Sequence, residues 1–289
     1  MLKKYCIKQE EIEKIAGKYE AKSLWDDAKY ATWNISLQKK LEDYIESVPG
    51  NEKLKADDIY NLFYPEKNVP IFISHSSKNK DLAQKLALWL KDNLGLYSFI
   101  DSDLWGNISV IQQTLDDKYC DPDPNYNYKK RNQCTAHVHM ILAYALTRMI
   151  DKADFFIFVK TNDSVSLKDS IERTNSSWIF HELVTASLIK SNSSFEIFPI
   201  RTTGMFCESE TDKPIPISYP IPLDGFDTLN HERLKSIADA YSDLKMDGKG
   251  SFARYQIKQY WLAKNVGKEI PSDDIVAKNC LLGYKKEKL

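Results

Sequence analysis

The sequence predicts an α/β protein: a flavodoxin-like parallel sheet with helices on both faces, continued by helical segments at its N- and C-terminal ends. Two observations predict it. Short apolar runs at Val69–Ser74, Tyr97–Ile100, Asp154–Lys160 and Phe195–Arg201 alternate with stretches of helical periodicity. Alternation of this kind argues for a parallel sheet covered on both faces. The crossovers are long enough for a doubly wound order.

Residues 1 to about 66 read as helical. Between Glu10 and Val48 there is no proline and the only glycine is Gly17, while Leu37, Leu41, Tyr44, Ile45 and Val48 recur at helical spacing. Pro49-Gly50-Asn51 breaks that run, and a short helical stretch follows before Pro65. The character changes at Val69, where a short apolar strand is closed by polar residues. Asn79 and Asp81 then open an amphipathic helix with Leu82, Leu86, Trp89 and Leu90 on its buried side, and Gly95 is placed to cap it.

The second strand ends in Asp101-Ser102-Asp103-Leu104-Trp105-Gly106, a loop by composition. A helix near Ser109–Asp117, an irregular stretch with Asp121-Pro122-Asp123-Pro124, and a helix from about Ala136 to Ile150 lead into the third strand. A loop over 161–175 precedes a helix carrying Trp178. From about Leu229 the chain is helical again, with Leu234, Ile237, Ala238 and Tyr241 at helical spacing and a further helix around Phe252–Ala263. These transitions divide the chain at 1–66, 67–229 and 230–289, with an irregular insertion at about 116–136.

The composition narrows the function. Over 289 residues, 43% are hydrophobic and 28% charged, as in a soluble globular chain. Lys+Arg 40 against Asp+Glu 41 gives a formal net charge of -1, so no overall field attracts nucleic acid. The N-terminus lacks the apolar core of a secretory leader, and the strongest apolar run, Phe155–Val159, is too short to span a bilayer. Five scattered cysteines suit free thiols in a reducing compartment, and a cytoplasmic location with no membrane partner is expected.

In open parallel sheets, ligands sit beyond the carboxyl ends of the strands. Those ends here are Ser74-His75-Ser76, Asp101 to Trp105, and the segment running into Trp178. Trp178 and Glu182 are four apart on one side of their helix, offering an aromatic surface and a negative charge in the same space. Ile179, Leu183 and Ala186 form an apolar stripe, which puts Trp178 and Glu182 along its margin. Trp178 has two readings, stacking on a base or filling space beside the sheet. Ser76 and Ser77 likewise serve either ribose and phosphate contacts or the cap of the next helix. Asp101 and Ser102 hold ribose hydroxyls or shape the turn. His181 points to another side of its helix and reads as structural.

Cys120, Cys134, His137 and His139 follow no standard zinc spacing, and the two histidines diverge on a helix, so no metal is expected. Neither a Gly-x-Gly-x-x-Gly nor a P-loop occurs, which disfavours redox use of a dinucleotide and nucleoside triphosphate hydrolysis.

The ordered set Ile71-Phe72-Ile73-Ser74-His75-Ser76-Ser77, Phe99-Ile100-Asp101 with its Trp-Gly loop, and Trp178-x-x-x-Glu182-Leu183 resembles the Toll/interleukin-1 receptor (TIR) domain, most of all its bacterial, NAD-cleaving members. The resemblance spans roughly Val69 to Arg201. It implies a five-stranded sheet and Glu182 as the catalytic residue; around that glutamate, nucleotide contacts are expected from Phe72, Ser74, His75, Ser76, Ser77, Asp101, Ser102, Trp105 and Trp178. Segment 101–107 would take the place of the family's BB loop and meet a neighbouring copy. The implied activity is NAD+ glycohydrolase or ADP-ribosyl cyclase, with NAD+ a substrate and no separate cofactor. A role in bacterial antiphage defence follows by the same resemblance, with a nucleotide product that could reach an effector. The pattern departs at about 116–136, where extra Tyr- and Asn-rich sequence stands.

The chemistry makes one carboxylate sufficient. Nicotinamide leaves NAD+ as a neutral ring and needs no proton, whereas ordinary glycosidases need a second carboxyl group to protonate a poor leaving oxygen. What remains is stabilisation of an oxocarbenium-like ribose, which one glutamate can supply. Two rival readings use the same sheet: a non-catalytic interaction module, and a nucleoside deoxyribosyltransferase-like enzyme. A response-regulator receiver would place an acidic pair where this chain has Ser74-His75.

Overall fold

The computed structural model describes residues 2–24, 37–49, 53–62, 69–104, 108–120, 127–168, 171–189 and 217–246. Its centre is a five-stranded, all-parallel sheet. The strands are β1 (Lys3–Lys8), β2 (Ile71–Ser74), β3 (Ser98–Phe99), β4 (Phe155–Lys160) and, numbered last along the chain, β8 (Asp227–Leu229). Their spatial order is β3-β2-β4-β1-β8. The flavodoxin-like α/β class read from the sequence is therefore the class of the structure.

Alternate residues of the central strands serve two cores. Phe72, Phe156 and Phe158 face one, while Ile71, Ile73, Phe155, Ile157 and Val159 face the other. On the first face lie α2 (Leu37–Ser47), α3 (Ala56–Leu62), α6 (Ile108–Tyr119), α7 (Tyr128–Lys152) and α8 (Ser177–Leu188), contributing Leu41, Ile59, Leu115, Leu142 and Leu183 among others. On the second lie α1 (Gln9–Ala16), α4 (Lys80–Leu94) and α9 (His231–Met246), contributing Ile12, Leu86 and Leu234. The helix predicted after the first apolar run is α4. Its Gly95 adopts φ 69° and donates its N–H to the carbonyls of Leu90 and Lys91, the left-handed cap that a side chain would strain.

One correction concerns the beginning of the chain. The sequence reading makes residues 1–66 helical throughout, yet Lys3–Lys8 is a strand lodged between β4 and β8. Its register runs from Lys3 opposite Phe155 to Lys8 opposite Lys160. The helical segments α2 and α3 also share a core with Phe72 and Phe156. The N-terminal segment is thus part of the sheet domain's packing. The expected strand Phe195–Arg201 and the expected helix around Phe252–Ala263 lie outside the described residues.

Three smaller differences separate the structure from that reading. The segment predicted as a loop after the second strand begins with one helical turn, α5 (Asp101–Leu104). The loop predicted over 161–175 holds an antiparallel hairpin, β5 (Ser166–Lys168) and β6 (Ile171–Thr174), to which β7 (Tyr219–Pro220) adds a third strand. Lys160 at the end of β4 pairs with Glu172 of that hairpin. The helix expected from Ala136 starts earlier, at Tyr128, where Asn127 accepts the Lys130 N–H as its cap.

After β2 the chain moves outward to β3 and then crosses back to β4 on the other side of β2. The direction of winding therefore reverses between β2 and β4, and the crevice beyond their carboxyl ends is the place such a sheet offers a ligand.

Candidate active site

Ser74 is the last residue of β2 and is fully buried. Its hydroxyl donates to Oε2 of Glu182 at 2.5 Å. Glu182 reaches it from α8, whose first turn is fixed by the Ser176 side chain accepting the Ile179 N–H at 3.3 Å. Ile179, Leu183 and Ala186 hold that helix to the core.

The sequence reading sets Glu182 at the margin of the stripe, bordering a cleft. The structure places it inside, with 2% of its surface exposed. Burial pushes its carboxyl well above the ordinary glutamate range, and the charge of Asp101 adds to the rise, while the Ser74 hydrogen bond works against it. Glu182 therefore holds its proton where an exposed glutamate would be ionised.

Around this pair the ends of β2 and β3 are tied together. His75, 6% exposed, contacts the Ser102 hydroxyl through Nε2 at 3.0 Å, and its Nδ1 has no partner among the described residues. Asp101 turns its Oδ1 onto the Ser102 N–H at 2.7 Å. The same helical turn is anchored from α4: Lys80 donates to the Ser102 carbonyl at 3.2 Å and approaches Asp103 Oδ1 at 3.2 Å, and Gln84 donates to that oxygen at 2.6 Å. The sequence reading misses the anchoring roles of Lys80, Gln84 and Asp103. The one local signal for them is the spacing of Lys80 and Gln84, a single helical turn apart on the same side of α4.

The other candidates divide. Phe72 is fully buried, its ring stacked between those of Phe99 and Phe156 at 5.4 Å from each, so it is a core residue and not a ligand contact. Trp178 stacks on His139 with ring centroids 5.7 Å apart and packs against the first core, which gives it the space-filling role of its two readings. Ser76 is buried next to His75, while Ser77 is exposed and opens a 3-10 turn without a side-chain cap. Trp105 lies outside the described residues. His181 is structural as expected, its Nε2 lying 3.2 Å from the Ala143 carbonyl and 3.3 Å from the Thr147 hydroxyl. Of the four metal candidates only Cys120 and Cys134 come together, since His139 lies against Trp178.

Ser74, His75, Asp101, Ser102 and Glu182 thus gather at the carboxyl edge, beside the reversal point of the sheet. Glu182 is desolvated and feels the charge of partly buried Asp101, an environment that a cationic ligand would ease. No protein-family model, curated protein or solved structure matches this chain. No helix among the described residues is long and apolar enough to cross a membrane.

Proposed function

We propose that this chain is a TIR-type NAD+ nucleosidase, breaking the nicotinamide–ribose bond with Glu182 as its catalytic residue. The observation that carries the reading is the buried Ser74–Glu182 hydrogen bond at the carboxyl edge of the sheet. A desolvated carboxyl beside a second acidic group is costly in an inert interaction module and useful at a site receiving positive charge.

On this reading the pyridinium of NAD+ enters next to Glu182 and Asp101. Its charge favours loss of the Glu182 proton to solvent as the ligand enters, and the resulting carboxylate faces the ribose. The bond from the ribose anomeric carbon to the ring nitrogen breaks, and its electron pair neutralises the pyridinium. The carboxylate stabilises the oxocarbenium-like sugar while Ser74 holds one of its oxygens in place. Water adding to the anomeric carbon and losing a proton yields ADP-ribose. An adenine nitrogen or ribose hydroxyl of the same molecule adding instead yields a cyclic product. His75 and Ser102, which contact each other, would serve the ribose or phosphate oxygens. NAD+ is consumed as substrate, and no other cofactor is called for. Self-association through segment 101–107, a role in antiphage defence and a nucleotide signal to an effector belong to this proposal through the family resemblance.

The test is to incubate the purified chain with NAD+ over a range of protein concentrations, follow nicotinamide release, and identify the adenine-containing product by mass spectrometry. Turnover in the native chain that is lost by at least about 10²–10³-fold in Glu182→Ala supports the proposal. Absence of turnover at every concentration, or equal turnover in the variant, rejects it.

A further inference from the structure

A second cluster of reactive side chains lies away from Glu182, where α6 meets α7. Asp116 and Cys120 stand one helical turn apart, at the end of α6 and just beyond it, and Cys134 faces them from α7. Cys120 Sγ lies 3.5 Å from Cys134 Sγ and 3.4 Å from Asp116 Oδ1, and the three ligand atoms all fall within 4.8 Å of one another. A tetrahedral zinc with Zn–S of about 2.3 Å and Zn–O of about 2.0–2.2 Å sets two sulfurs about 3.8 Å apart and a sulfur and an oxygen about 3.6 Å apart. The two separations lie within about 0.3 Å of two edges of such a tetrahedron.

The carboxylate is also oriented for it. Arg131 donates Nε to Asp116 Oδ2 at 3.0 Å, which leaves Oδ1 directed at the sulfurs. An outer partner of this kind fixes a ligand and tunes its basicity. The scaffold is held independently by Gln112 of α6 donating to Thr135 of α7 at 2.6 Å. Asp116 and Cys120 are buried and Cys134 is partly exposed, so a fourth position is open to water on the Cys134 side.

We propose that Asp116, Cys120 and Cys134 form a binding site for a thiophilic divalent cation, zinc by its chemistry, with Arg131 as the outer partner of the carboxylate. Binding displaces the two thiol protons to solvent and forms two metal–sulfur bonds and one metal–oxygen bond; no electrons are transferred. A disulfide between the same cysteines explains less. It removes the Cys120 S–H and leaves buried Asp116 Oδ1 without the donor it has now. Sequence spacing hides the site because one ligand is an aspartate and the second cysteine arrives from another helix.

The experiment uses the full chain, reduced and stripped with a chelator, titrated with cobalt(II) and then with zinc. The expected result is saturation at one metal per chain with a sulfur-to-cobalt charge-transfer band, abolished by zinc. Peptide mapping should show Cys120 and Cys134 protected from alkylation by zinc while Cys6 is not. Arg131→Ala should keep the spectrum and weaken affinity about 10- to 100-fold. Cys134→Ser should lose about half of the charge-transfer intensity or all binding, as expected when one of two thiolates is removed. The proposal fails if the native chain gives no charge-transfer band, if zinc protects other cysteines, or if the isolated chain carries a Cys120–Cys134 disulfide and binds no metal after reduction. The titration and the mapping both use the native chain, so they decide the question even where a variant does not fold.

Discussion

Ser74 and Glu182 are separated by 108 residues of sequence and joined by a 2.5 Å hydrogen bond, with both side chains buried. The hydroxyl favours the ionised carboxylate, whereas burial and the neighbouring Asp101 favour the protonated one. This opposition sets the protonation state of Glu182, and its sign can be tested from either partner.

Glu182→Gln should stabilise the fold at neutral pH and leave it nearly unchanged near pH 4. The folded carboxyl titrates above its unfolded value of about 4.5. Below that value both states are protonated and nothing is lost. As pH rises toward the folded value the unfolded chain releases its proton first, and stability falls. The substituted amide has no such proton to lose and keeps an oxygen for Ser74. Thermal unfolding of both chains at the two pH values checks this; equal differences at both would show that burial does not govern the group.

Removing the donor should push the Glu182 carboxyl higher still. Under the proposed nucleosidase function, Ser74→Ala is therefore expected to lower NAD+ cleavage at neutral pH by about 10- to 100-fold, in line with the roughly 1.5–3 kcal/mol of a hydrogen bond to a charged group. Its activity limb should move to higher pH, so that raising the pH restores part of the rate. A uniform loss across the pH profile would instead mean that Ser74 matters only for structure.

A chain beginning at Gln9 should not fold. Lys3–Lys8 pairs with β4 on one side and β8 on the other, and Tyr5 and Ile7 are buried in the second core. Without them the two neighbours lose their backbone partners in a buried setting. Circular dichroism and hydrogen exchange on the truncated chain test this. A cooperative, native-like transition would show β1 to be an accessory strand.

Glu11→Gln should remove a share of stability that the native chain loses only in acid. Glu11 accepts the His231 backbone N–H at 2.8 Å, lies 2.6 Å from the His231 Nδ1, and pairs with Lys14. These contacts, the His231 N–H first, hold its carboxyl down at about 2 against an ordinary 4.5. The stabilisation is complete above the unfolded value and disappears as pH falls toward the folded one. The native chain should lose stability between about pH 4.5 and 2, and the variant should lack that share already at neutral pH. Acid titration followed by tryptophan fluorescence reads both; identical acid profiles in the two chains would remove Glu11 from the account.

The parts of the fold that could be read from sequence are those set by local pattern. β2, α4 with its Gly95 cap, β4 and α8 each carry their periodicity and end signals within a few residues. Lys3–Lys8 does not. Its three lysines and short length look like a helix approach, and only its register against Phe155–Lys160 makes it a strand. At the site, the convergence of Ser74, His75, Ser102 and Glu182 follows from topology. The depth of Glu182 does not, because it depends on Ser74 and Asp101 arriving from distant segments. Trp178 resolves toward packing for the same reason: its partner His139 sits on another helix.

The placement of β1 has a consequence for synthesis. Synthesis delivers Lys3–Lys8 ahead of both its neighbours, since Phe155–Lys160 and then Asp227–Leu229 follow it along the chain. Until those strands follow, the nascent chain carries an unpaired strand with Tyr5 and Ile7 uncovered, the kind of edge that invites association with other chains. Closing the sheet late makes Asp227–Leu229, and not Lys3–Lys8, the strand that commits the sheet to its order.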